Sequence, residues 1–121
     1  MILKERTMFS LREVKEKDHE WLVELHNDPI VLHNMTDPTS ITLESHMEWW
    51  NSLNFKKQKR KIFEVNGSPA GFTKFYSIDK VNKSCVLGGD LHKDYRGYGY
   101  SYEMWKLMIE YCFEAMNLYR V

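Results

Sequence analysis

The sequence predicts a single mixed α/β domain, of the α+β kind, with its elements in the order β-α-α-β-β-β-α. Three observations carry that expectation. Apolar residues recur at helical spacing between Asp18 and Leu53, alternate from Lys61 to Leu91, and return to helical spacing after Ser101. Asn66-Gly67 lies between two alternating runs, and Asn-Gly accepts the positive φ angles of a tight hairpin turn. A glycine-punctuated loop, Arg96-Gly97-Tyr98-Gly99, joins the last alternating run to the last helical one. No repeat, low-complexity tract or linker divides residues 1–121, so they are read as one domain.

From Met8 to Val14, Phe9 and Leu11 alternate with polar positions, as in a half-buried strand. Asp18 is placed to cap a helix that carries Trp21, Leu22 and Leu25 on one face, and Asn27-Asp28-Pro29 supplies its stop. Thr42 is placed to cap a second helix with Leu43, Met47, Trp50 and Leu53 at helical spacing. Both helices are expected to cover a sheet. Ile62 to Val65 and Ala70 to Tyr76 form the hairpin around Asn66-Gly67, with Pro69 where no ladder hydrogen bond is needed. A polar turn from Asp79 to Lys83 leads to a strand from Ser84 to Leu91. Gly88-Gly89 interrupts that strand and implies a bulge, or a close approach of another molecule to the backbone. The final helix runs from about Ser101 to Asn117, with Trp105, Met108, Cys112, Phe113 and Met116 repeating at three- and four-residue intervals.

Composition narrows the function classes. With 43% hydrophobic and 28% charged residues the chain is an ordinary soluble domain, large enough for a real core. Lys plus Arg balance Asp plus Glu at 17 each, so the net field favours neither nucleic acid nor an anionic membrane. The one basic run, Lys56-Lys57-Gln58-Lys59-Arg60-Lys61, is read as a solvated segment, the alternative being a contact for a phosphate-bearing partner. Cys85 and Cys112 lie outside any CxxC or Cys-His metal spacing and are expected to be reduced core thiols. The amino terminus lacks the pattern of a signal peptide and no stretch has the length of a membrane span, so a cytosolic address is expected.

The chemistry lies in the glycine loop. Backbone N–H groups at a helix start have no internal partner and sit at the positive end of the helix dipole, so they receive anions. Gly97 and Gly99 let that backbone come close to a phosphate, and the amides from Tyr98 to Ser101 supply donors. The rings of Tyr98 and Tyr100 either cover the ligand or are surface aromatics. There is no Gly-Lys-Ser/Thr ending of a triphosphate loop, and no GxGxxG within a βαβ unit. What remains, Arg96-Gly97-Tyr98-Gly99-Tyr100-Ser101, resembles the Arg/Gln-x-x-Gly-x-Gly/Ala signature of the GCN5-related N-acetyltransferases, with Ser101 where the family usually has glycine or alanine. The likeness extends along the chain through Leu11-Arg12-Glu13-Val14 with Asn27-Asp28-Pro29, Thr42 to Trp49, and Val65 to Phe72, which are similar to the branch containing ribosomal-protein alanine acetyltransferases. Asn82-Lys83-Ser84-Cys85 with Gly88 resembles amino-sugar acetyltransferases of the pseudaminic-acid type.

This resemblance implies a mostly antiparallel sheet flanked by helices, acetyl-coenzyme A as co-substrate, no metal, and direct transfer of the acetyl group to a primary amine. The acceptor class stays open between amino sugar, protein amino terminus and small polyamine. It further implies that Gly89, Asp90 and Leu91 hydrogen-bond the pantetheine arm while a strand amide polarises the thioester carbonyl. For the base, Asp90 is the first candidate, with a loop cap as its other reading, and Glu64 the second, with a solvated hairpin residue as its other reading. Val86 occupies a position where the family often has an acid. His46 and Trp49 are candidates for the acceptor groove, Trp50 is assigned to the core, and His19, His26, His33 and His92 are given no role. The family fold continues with a fifth strand, a helix and a hairpin, and Leu118-Tyr119-Arg120-Val121 stand where that strand would begin. The expectation is therefore a shortened form whose open sheet edge pairs in a homodimer. The alternative is a coenzyme-binding or interaction module without turnover.

Overall fold

The computed structural model describes residues 6–35 and 37–117. Residues 1–5, part of the leader reading, and 118–121, read as the start of a fifth strand, lie outside them. Four strands form one antiparallel sheet in the order β1-β2-β3-β4. They are β1 (Phe9–Glu13), β2 (Lys59–Val65), β3 (Ser68–Asp79) and β4 (Ser84–Leu91). Asn66 and Gly67 take φ of 51° and 81° in the β2–β3 turn, as the hairpin reading requires. Opposite Pro69 the register slips between Phe63 and Glu64, which spares the ladder a donor that proline lacks.

Strand alternation gives the sheet two apolar faces, and each has its own helices. On one face Phe63, Val65, Phe75 and Cys85 pack against Met104, Met108 and Cys112 of helix α4 (Tyr100–Glu114). On the other, Ile62 and Phe72 pack against Leu22 and Leu25 of α1 (His19–Asn27) and Val31 of α2 (Pro29–His33). Helix α3 (Leu43–Ser52) joins this second layer through partly buried Trp50. Thr42 caps α3 as expected, its hydroxyl accepting from the Ser45 amide at 3.1 Å. No helix among the described residues is long and apolar enough to cross a membrane.

Several expectations need correcting. Asn27-Asp28-Pro29 stops α1 but also starts a helix the sequence reading omitted. Asp28 Oδ1 accepts from the Ile30 amide at 2.9 Å, and Pro29 sits in the first turn, where its missing N–H costs nothing. Asp18 does not cap α1. Its carboxylate turns back to the Lys15 amide at 2.7 Å and to Arg12, because α1 is entered through a 3-10 turn at Glu16–Asp18. Gly88 and Gly89 form no bulge and pair regularly with Lys74 and Thr73, whereas the β3–β4 irregularity lies between Tyr76 and Asp79. The close neighbour of Gly89 belongs to this chain, since a Cβ there would stand 2.8 Å from Met104 Cε. The buried stripe of α4 is Met104, Met108 and Cys112, and Phe113 is 44% exposed. The basic run is not wholly solvated either: Lys61 is buried against Glu13, and Arg60 is half-buried. Cys85 and Cys112 are buried free thiols with Sγ atoms 3.5 Å apart, and burial pushes the Cys112 thiol up to about 12.

Candidate active site

After β4, the His92 side chain accepts from the Asp94 amide at 3.2 Å and so caps a 3-10 turn over Lys93–Tyr95. Gly97 and Gly99 follow at φ of 86° and 79°, a region that side chains avoid. A Cβ at either position would meet nothing within 4 Å, so open space lies over both. Gly99 is the N-cap residue of α4, and no side chain caps the helix. Its first-turn amides therefore remain available to an anion. A pocket of about 300 Å³ opens there, with Gly89 and Leu91 on the strand side and Arg96, Gly97, Gly99, Tyr100 and Ser101 on the loop side. Met104 completes its lining. Arg96 Nη1 stands 3.3 Å from Asp28 Oδ1, tying the loop to the start of α2. Of the nine positions expected at the coenzyme, Asp90 and Tyr98 are absent from this lining. Tyr98 is 68% exposed and stacks on Tyr100, with centroids 5.5 Å apart.

Asp90 lies on the other face because successive strand residues point to opposite sides. There it lines a cavity of about 630 Å³ between the sheet and the α1–α3 layer, together with His46, Trp49, Arg60 and Lys74. Lys74 Nζ stands 3.8 Å from Asp90 Oδ2. The Arg60 guanidinium carbon is 4.8 Å from the ring centre of Trp49 and 5.7 Å from that of Phe72, and burial pushes its pKa down. Asp90, His46 and Trp49, chosen separately from the sequence, thus share one cavity.

Glu64 is not in either lining. Its carboxylate accepts from Arg12 Nε at 2.8 Å, and Arg12 also grips Asp18 through two bonds of 2.7 and 2.9 Å. Glu64 is thus a member of an ion network on β1 and β2, neither solvated nor turned toward Asp90.

Sequence reasoning also missed a histidine pair. His19 Nδ1 lies 2.9 Å from His46 Nε2, and both residues are buried beside Trp50. They are 27 positions apart on different helices, so no local spacing announced the contact. Burial, then electrostatic interaction with His19 and His26, lowers His46 to about 4. The folded chain therefore resists a proton that the unfolded chain accepts from pH 6.5 downward, and stability falls as pH drops through that window. Urea unfolding should show a loss of roughly 2 kcal/mol from this group between pH 7 and pH 5. His46→Phe should remove that component, and an unchanged pH profile in the variant would rule out His46 as its source.

Comparison with known proteins adds the family. Residues 9–121 match the family described as an acetyltransferase (GNAT) domain. Spermidine N(1)-acetyltransferase of Escherichia coli K12 is 22% identical over 112 residues, which cover 92% of this chain and 60% of that protein. The uncharacterized N-acetyltransferase p20 of Bacillus licheniformis is 27% identical over 118 residues, covering 93% and 66%. The chain thus spans about three fifths to two thirds of the length of these relatives. Among solved structures, the Vibrio cholerae spermidine N-acetyltransferase in complex with CoA and spermine superposes with a TM-score of 0.81 at 18% identity, over 91% of this chain and 66% of that one. The same Vibrio cholerae enzyme is also described as a dodecamer. With the loop, the sheet and the family match in agreement, this chain belongs to the GNAT acetyltransferase family.

Proposed function

We propose that the chain transfers an acetyl group from acetyl-coenzyme A to a primary amine held in the larger cavity. One observation carries this reading: the run Gly89-Asp90-Leu91 puts a single strand in the wall of both cavities, Gly89 and Leu91 in the smaller and Asp90 in the larger. A donor bound at the helix α4 amides and an amine on the opposite face would meet across β4. The coenzyme supplies an electrophilic thioester carbonyl. Among the described residues β4 pairs on one side only, so the backbone groups of its other edge are free to hold the pantetheine arm and to polarise that carbonyl. Asp90 takes a proton from the ammonium, directly or through water, and frees the nitrogen lone pair for attack. The new C–N bond forms as the C–S bond breaks, and the second proton on the attacking nitrogen passes, directly or through water, to the departing thiolate.

Release of coenzyme thiol with a panel of primary amines tests the reading. The parent should bind acetyl-coenzyme A and release thiol with at least one amine. Asp90→Asn should cut the rate by roughly a hundredfold or more while leaving coenzyme affinity unchanged. Binding without release for every amine would establish the module without turnover, and an undiminished rate in Asp90→Asn would remove Asp90 from the mechanism.

A further inference from the structure

We propose that the acceptor carries a carboxylate some bonds away from its amine, and that Arg60 is the residue that binds it. This deepens the proposed acetyl transfer and rests on that reading. Basic side chains outnumber acidic ones in the lining of the larger cavity. They are Arg60 and Lys74, with His26 alongside, against the single carboxylate of Asp90, and His46 is held neutral by its burial. Lys74 stands beside Asp90, so those two charges offset each other. Arg60 is left over. It forms no ion pair with any described residue, and its one side-chain hydrogen bond is from Nε to Gln58 Oε1 at 3.1 Å. The two terminal nitrogens are therefore unused by the described residues. Contacts with Trp49 and Phe72 hold the guanidinium in place and shield it from water.

A partly desolvated cation without a counter-ion is costly, and an incoming carboxylate can meet its paired N–H groups in a two-pronged contact. The register sets the span. Arg60 on β2 pairs with Lys74, Lys74 pairs with Gly88, and Asp90 lies two residues further along β4. With strands about 4.8 Å apart and a rise of about 3.3 Å per residue, the two Cα atoms lie roughly 12 Å from one another. The longer arginine side chain shortens that gap to the reach of a small amino acid with a carbon stem between its ends. Leu22, Leu25, Val31 and Phe72 supply apolar wall for such a stem. A polyamine fits poorly, because its second ammonium would enter a cavity that already holds two cations and one carboxylate.

The test uses pairs of amines that differ only by the carboxylate, pentylamine against 5-aminopentanoate and hexylamine against 6-aminohexanoate, with spermidine as the polycation. Thiol release should favour the acid-bearing member of at least one pair by tenfold or more in kcat/KM, and should favour it over spermidine. Arg60→Gln should bring that ratio near one with the acetyl-coenzyme A Kd unchanged, and Arg60→Lys should restore part of it. Calorimetric binding of the two acids to the parent and to Arg60→Gln is the second readout. Arg60-dependent binding without thiol release would overturn acetyl transfer and leave the carboxylate subsite standing. Equal use of spermidine or of the acid-free amines, or a preference that survives Arg60→Gln, would overturn the subsite.

Discussion

Gly99→Trp should weaken acetyl-coenzyme A binding at least a hundredfold in isothermal titration, about 2.7 kcal/mol, while the fold survives. Two effects combine. Gly99 has φ of 79°, where any side chain is strained by about 1–2 kcal/mol. That strain falls on the residue that opens α4, so the first-turn amides shift away from a phosphate. Beyond the strain lies occupancy: a Cβ at this position meets nothing within 4 Å, so the indole would enter the open space of the smaller pocket without displacing core atoms. Gly99→Ala separates the two contributions, since it introduces the strain with little of the bulk, and should lose much less affinity than the tryptophan variant. Parent-like binding by Gly99→Trp would show that the coenzyme does not use this loop.

Arg12→Ala should cost about 3–5 kcal/mol of unfolding free energy in urea at pH 7. Asp18 is only 2% exposed, and the Arg12 hydrogen bonds hold its carboxyl below the ordinary value against the opposing effect of burial. Removing the guanidinium leaves Asp18 as a buried carboxylate whose remaining hydrogen bond comes from the Lys15 amide, and deprives Glu64 of its partner as well. The sign of the pH dependence follows. In the parent, Asp18 contributes stability above its unfolded pKa of 3.8, and that contribution is lost as pH falls through the lower folded value. In the variant the Asp18 carboxylate loses the Arg12 hydrogen bonds that hold its pKa down while its burial still pushes the other way, so the deficit should shrink as pH falls from 7 toward 4. A deficit below about 1 kcal/mol at pH 7 would mean the network behaves as an exposed surface pair.

What could be read in the sequence was what depends on neighbours along the chain. The Asn66-Gly67 hairpin, the Thr42 cap, the end of α1 at Asn27 and the glycine loop opening α4 each rest on the torsions or hydrogen bonds of a few consecutive residues. Errors arose where local chemistry had two uses. Asp28-Pro29 ends one helix and begins another, and Gly89 looked like a strand defect because the sulfur-bearing side chain that needs its space comes fifteen residues later. Asp18 had the right residue type for a cap, but Arg12 offered it two charged hydrogen bonds instead.

The sequence by itself determined the family, the order of the main elements, and a loop able to receive phosphate. Only the tertiary structure decided which charges meet. Arg12 reaches Glu64 across 52 positions, His19 meets His46 across 27, and Arg60 and Asp90 enter one cavity from strands separated by a third. Such pairings follow from strand register and from where helices pack on a sheet face. Register and packing are set by burial summed over the whole sheet, a quantity that no short stretch of sequence contains.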